Sequence, residues 1–121
     1  KAVEYLVAQG HRSIGLVQGP DGFRSAAERE AGWRDAMEAS GLPFGADRMA
    51  RGNYTFESGR EAGAELLAAR ERPTAIFASN DVMAAGVLHA ARAAGLSVPE
   101  DLSIVGFDDT AIAATIAARL R

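Results

Sequence analysis

Two adjacent carboxylates, Asp108 and Asp109, close the apolar run Leu102-Ser103-Ile104-Val105-Gly106-Phe107. A short apolar run bounded by turn residues has the pattern of a strand buried on both faces. Acids at the carboxyl end of such a strand fall where open α/β sheets keep their ligand crevice. Two further runs are built alike: residues 12–18 end in Gly19-Pro20-Asp21-Gly22, and residues 74–79 end in Asn80-Asp81. Arg29 lies one helical turn before Trp33 and on nearly the same face; it reads either as a cleft arginine or as a solvated or salt-bridged one, with Glu30 a candidate partner. Tyr54, in the turn Gly52-Asn53-Tyr54-Thr55, reaches the same edge as a stacking platform or as a lid over the core. Ser25 is a further hydroxyl nearby.

This set donates and accepts several hydrogen bonds but holds no nucleophile–base pair, since neither His11 nor His89 falls among these loops. Asp108 and Asp109 are neighbours on an extended segment, so they point to opposite sides and cannot share a proton. A carboxylate, an arginine and an amide suit a polyhydroxylated ligand, each hydroxyl of which needs a donor and an acceptor. The predicted chemistry is binding.

The rest of the chain bounds that reading. At 121 residues, with 48% hydrophobic and 24% charged residues, it fits one globular domain. The net charge of −3 supplies no electrostatic footprint for nucleic acid. No run approaches a membrane span, so no membrane association is expected. The absence of cysteine excludes disulfides and thiol chemistry, and two separated histidines make a metal site or metal cofactor unexpected. His11 is read as a loop residue bonded to solvent or backbone.

Three buried strands must be joined by helices. The first helix covers residues 1–9 and stops at Gly10. The second covers residues 25–40, opened by a Ser25–Glu28 capping box, with Trp33, Ala36, Met37 and Ser40 inward. A weak edge strand covers 48–53. The third helix covers 56–70 and buries Phe56, Gly59, Gly63, Leu66 and Leu67, the glycines approaching the sheet. The fourth covers 80–94, capped by Asn80, and residues 110–119 form a short alanine-rich helix. Strand–helix alternation predicts parallel pairing through right-handed crossovers. A lysine at position 1, already inside a helix, suggests a piece of a longer protein.

The motifs resemble those of the lactose/galactose-repressor (LacI/GalR) family of transcription regulators. They are Tyr5-Leu6-Val7 through Gly10-His11-Arg12-Ser13-Ile14-Gly15, Gln18-Gly19-Pro20, Ala27-Glu28-Arg29-Glu30-Ala31-Gly32-Trp33, Arg72-Pro73-Thr74-Ala75-Ile76-Phe77-Ala78-Ser79-Asn80-Asp81, and Val98-Pro99-Glu100-Asp101 through Asp109. The resemblance implies a periplasmic binding protein-like lobe, a three-layer αβα sandwich around a mostly parallel sheet. It further implies that residues 1–121 form the carboxyl-terminal lobe of a two-lobed, cytoplasmic ligand sensor, whose helix-turn-helix and first lobe have no counterpart in this chain. Carried over by position, it implies effector contacts at Arg29, Asp108, Asn80, Tyr54 and Ser25, with Phe23 at a position that varies with ligand class.

The small-molecule effector expected is carbohydrate-like or nucleoside-like. Operator DNA would be read only through the absent amino-terminal domain. Helix 80–94 is apolar around most of its circumference, and one lobe can cover a single side. Family members pair through this helix and the segment after Asp109, which implies a homodimer with Ala85, Leu88, His89, Ile112 and Ile116 at the interface. A transport receptor for sugars is the alternative within this fold. An enzyme or receiver domain is disfavoured because receivers place their acidic pair after the first strand.

Overall fold

The computed structural model describes residues 2–106. The order is α1 (Ala2–Ala8), β1 (Ile14–Gln18), α2 (Arg24–Ala39), a single 3-10 turn (Ala46–Arg48), β2 (Met49–Arg51), α3 (Phe56–Leu67), β3 (Ala75–Ala78), α4 (Asp81–Ala93) and β4 (Ser103–Gly106). The expected helix 110–119, together with Asp108, Asp109, Ile112 and Ile116, lies outside the described residues.

All four strands run parallel in the order β2-β1-β3-β4. Leu16 is the central reference, aligned with Met49 on one side and Phe77 on the other. The chain leaves β1 for β2 and then returns to β3 on the opposite side of β1. Connections therefore diverge from the neighbouring strands β1 and β3, the switch point outside whose carboxyl ends open α/β sheets bind their ligands.

Alternation along the strands sorts the core into two layers. Ile14, Leu16, Ala75, Phe77 and Val105 pack with Val3 and Leu6 of α1 and with Trp33, Ala36 and Met37 of α2. Val17, Ile76, Ala78 and Ile104 pack with Ala62 and Leu66 of α3 and with Met83, Ala84, Val87 and Ala91 of α4. The expected αβα sandwich is what these residues build. Fully burying each aliphatic side chain of this kind contributes about 1.5–3 kcal/mol, and Leu6, Leu16, Ile76 and Ile104 are wholly inaccessible.

Three helices end at the glycines that follow their expected spans, while α3 stops at Leu67, short of the expected residue 70. After α2, Gly41 adopts φ 71°, its N–H reaches the Glu38 carbonyl and that of Leu42 reaches the Met37 carbonyl, which is the Schellman arrangement. Gly10 and Gly95 close α1 and α4 with the same pair of bonds.

Three expectations fail locally. No side chain caps α2: its N-cap is Phe23, Glu28 is exposed, and the Ser25 hydroxyl is engaged elsewhere. Phe56 is 42% exposed, because at the first position of α3 its ring turns outward and meets the His89 ring edge-on at 5.9 Å. Finally, the α3 glycines serve the neighbouring helix and not the sheet. A Cβ at Gly59 would overlap the Met83 main chain, and one at Gly86 would overlap the Phe56 carbonyl and the Arg60 amide. The two helices therefore touch backbone to backbone.

Candidate functional site

Tyr54 is the hub of the crevice edge. It follows β2 and precedes Thr55, whose side chain caps α3 in a reciprocal box with Ser58. Among the described residues it is the one non-glycine with positive φ, at 71°. This conformation is uncommon for a non-glycine and counts as a real outlier in a bulky residue. Its hydroxyl lies 2.8 Å from the Ser25 hydroxyl and accepts from Arg29 Nη1 at 3.1 Å. The Arg29 guanidinium also stands 5.8 Å from the ring centroid, within cation–π range. Phe23 meets the Tyr54 ring edge-on at 6.0 Å while remaining 55% exposed.

Arg29 is anchored to the sheet as well. Its Nη1 donates at 2.8 Å to the Ser79 carbonyl just past β3. The salt-bridge reading with Glu30 does not hold: Glu30 pairs with Arg34 at 3.2 Å and accepts from Gln18 Nε2 at 2.8 Å. Asn80 does cap α4, its Oδ1 accepting from the Met83 N–H at 2.8 Å. Its Nδ2 also donates to the Tyr54 carbonyl at 3.3 Å.

Phe23, Ser25, Arg29, Tyr54 and Asn80 thus meet at the carboxyl ends of β1 and β3. Asp108 lies outside the described residues. Three residues here were missed by sequence reasoning. Gly19 makes room for Tyr54, since a Cβ there would stand 2.7 Å from the ring and 2.9 Å from the Ala26 Cβ. Arg51 donates to the Gly19 carbonyl at 2.6 Å, and Gln18 fastens α2 to the end of β1 through Glu30. A glycine directly after a strand was the available signal for the first; nothing in the local pattern marked the other two.

His11 sits at the other end of the sheet and is not the plain loop histidine expected. Its Nδ1 lies 2.8 Å from the Thr74 hydroxyl and its Nε2 lies 3.1 Å from the Ser103 hydroxyl. The Thr74 hydroxyl also donates to the Ser13 carbonyl at 3.3 Å, which joins the imidazole to the lead of β1. Burial holds this imidazole below the usual histidine value.

The outer side of α4 is uncovered. Ala85 and His89 are exposed and Leu88 is partly buried; with Phe56, Arg92 and Ala93 they line a shallow hollow of about 500 Å³. Val82 at the start of that face is 50% exposed. Among the described residues no group of three or more histidine or carboxylate side chains could hold a metal ion, and no helix is long and apolar enough to cross a membrane.

Comparison with known proteins identifies the scaffold. Residues 3–120 match the model of the periplasmic binding protein-like domain. The chain belongs to this family, in the form carried by LacI-type regulators. Over 120 residues it is 41% identical to the probable HTH-type transcriptional repressor ExuR of Bacillus subtilis, covering 99% of this chain and 36% of that protein. Among solved structures, a LacI-family regulatory protein from Chloroflexus aggregans superposes with a TM-score of 0.85 at 42% identity, covering 92% of this chain and 40% of the other. The transcriptional regulator CelR in complex with cellobiose superposes with a TM-score of 0.85 at 35% identity, covering 91% of this chain and 34% of the other. The chain spans about a third of the length of the curated LacI-type relatives it matches.

Proposed function

We propose that this chain is the carboxyl-terminal lobe of the ligand-sensing domain of a bacterial transcriptional regulator. In that role it binds a polyhydroxylated effector, a sugar or a nucleoside-like molecule, between itself and a first lobe. The observation that carries the reading is the convergence of Phe23, Ser25, Arg29, Tyr54 and Asn80 on one sheet edge, where strand connections diverge. Arg29 supplies a forked donor to hydroxyl oxygens, the Tyr54 face stacks on a sugar ring, and Asp108 acts as the acceptor. A disaccharide complex of a structural relative supports carbohydrate as the ligand class. The edge binds and does not catalyse.

The effector acts by closing the lobes, which shifts the whole regulator between operator-binding and released states in proportion to its different affinity for the two. The uncovered face of α4 supports a symmetric dimer in which Ala85, Leu88 and His89 lie near their equivalents. Ile112 and Ile116 extend that interface.

The test is calorimetric titration of the intact protein with an array of mono- and disaccharides and nucleosides. Binding of one of them, lost in Arg29→Ala, supports the site; no binding across the array overturns it. Light scattering on Ala85→Glu/Leu88→Lys tests the interface, with monomers of unchanged helicity expected. A wild-type protein already monomeric at tens of micromolar would remove the dimer.

A further inference from the structure

The left-handed backbone of Tyr54 needs a cause. An aromatic residue holds φ 71° only where its surroundings over-determine it. Ser25, Arg29, Phe23 and the gap at Gly19 act on the ring and its hydroxyl. Asn80 acts on the main chain, through the 3.3 Å bond from Nδ2 to the Tyr54 carbonyl. Its other amide atom is committed to the Met83 N–H, so the side chain has a fixed orientation and bridges the entry of α3 to the first turn of α4.

The geometry points to Asn80 as a positioning residue: it holds the Tyr54 main chain in the left-handed conformation and so aims the ring over the crevice before a ligand arrives. The inference rests on the reading of this edge as an effector site, and gives Asn80 a role that acts through Tyr54.

The capping and tying functions separate chemically. Asn80→Asp keeps an oxygen for the Met83 N–H, a good N-cap, but replaces the donor by a second oxygen facing the Tyr54 carbonyl, which repels it. Asn80→Ser also caps and is too short to reach that carbonyl. Asn80→Ala removes both functions.

The readout is the ¹⁹F resonance of 3-fluorotyrosine placed at position 54 of the intact protein, without ligand. One line is expected with Asn80 present. With Asp or Ser the line should shift and broaden, or split, while the melting temperature stays near that of the parent. With Ala both the line and the melting temperature should change. A parent-like line in the Asp and Ser variants overturns the proposal and leaves Asn80 as a cap only, whatever Ala does. Because the readout needs no effector, a shifted line without binding of any member of the sugar and nucleoside array sinks the effector reading and leaves the positioning role. An unshifted line with intact sugar binding does the reverse.

Discussion

The two ends of the sheet carry polar clusters of similar size that differ in how they are satisfied. At the amino end, His11 links the Thr74 and Ser103 hydroxyls, and Arg48 Nη1 donates to the Ser13 hydroxyl at 2.6 Å. Partners come from three strands or their leads, and no described non-glycine residue there has a positive φ, although Arg48 Nε is buried without a partner. At the carboxyl end, Ser25 and Arg29 converge on a tyrosine in a left-handed backbone, beside a phenylalanine more than half exposed. The Tyr54 ring packs against the core like a lid, yet its left-handed backbone costs stability and the exposed Phe23 ring adds little. One cluster holds strands together; the other is held ready.

Four measurements can break or sharpen that contrast. The largest effect should come from Arg29→Ala, which leaves hydroxyls of a bound effector without their charged donor. Affinity should fall by about 2–4 kcal/mol, read by calorimetry with whichever array member binds, and the urea midpoint should fall as well, since the Ser79 carbonyl and the Tyr54 hydroxyl lose their charged donor. Next, His11→Ala strips the partner from the buried Ser103 hydroxyl and should cost about 1–2 kcal/mol of stability. Effector affinity should be untouched; a parallel loss of binding would erase the distinction between the ends.

Phe23→Ala should change stability by less than about 0.5 kcal/mol, since the position is exposed and neither side chain caps α2. It should instead reorder affinities among the sugars of the array, and an unchanged order would remove Phe23 from the specificity set. The smallest effect is with pH. Since burial depresses the His11 pKa, the unfolded chain takes up a proton first as the solution is acidified. The stability this group contributes is complete above the unfolded value of about 6.5 and is lost as pH falls through the folded value. Urea midpoints at pH 7.5 and 5.5 should therefore differ more in the parent than in His11→Gln.

Strands and helix ends were readable because one local signal sufficed for each. Apolar runs such as residues 14–17 and 75–78 meet both helical layers, and a glycine at a helix end needs only its neighbours to be understood. The capping box at Ser25 failed because a serine hydroxyl has competing partners, and Tyr54, 29 residues away, takes it. Phe56 failed because helical periodicity gives a face but does not decide which neighbour that face meets at the first turn. That Arg29, Tyr54 and Asn80 share one edge was legible from strand ends and turn positions, and the family resemblance added the proposed purpose. What joins them was not: a positive φ at a tyrosine, and the room left by Gly19, are properties of the assembled loops.

The backbone contact between α3 and α4 bears on how force travels through the lobe. Side chains absorb displacement by changing rotamer, but main-chain atoms meeting at Gly59 and Gly86 have no such slack. The pair therefore behaves as a stiff beam. Tyr54 and Asn80 sit where α3 and α4 begin, and Leu88 and His89 stand farther along α4. With no side chain between the two main chains at these points, a displacement of one helix there has to be shared by the other.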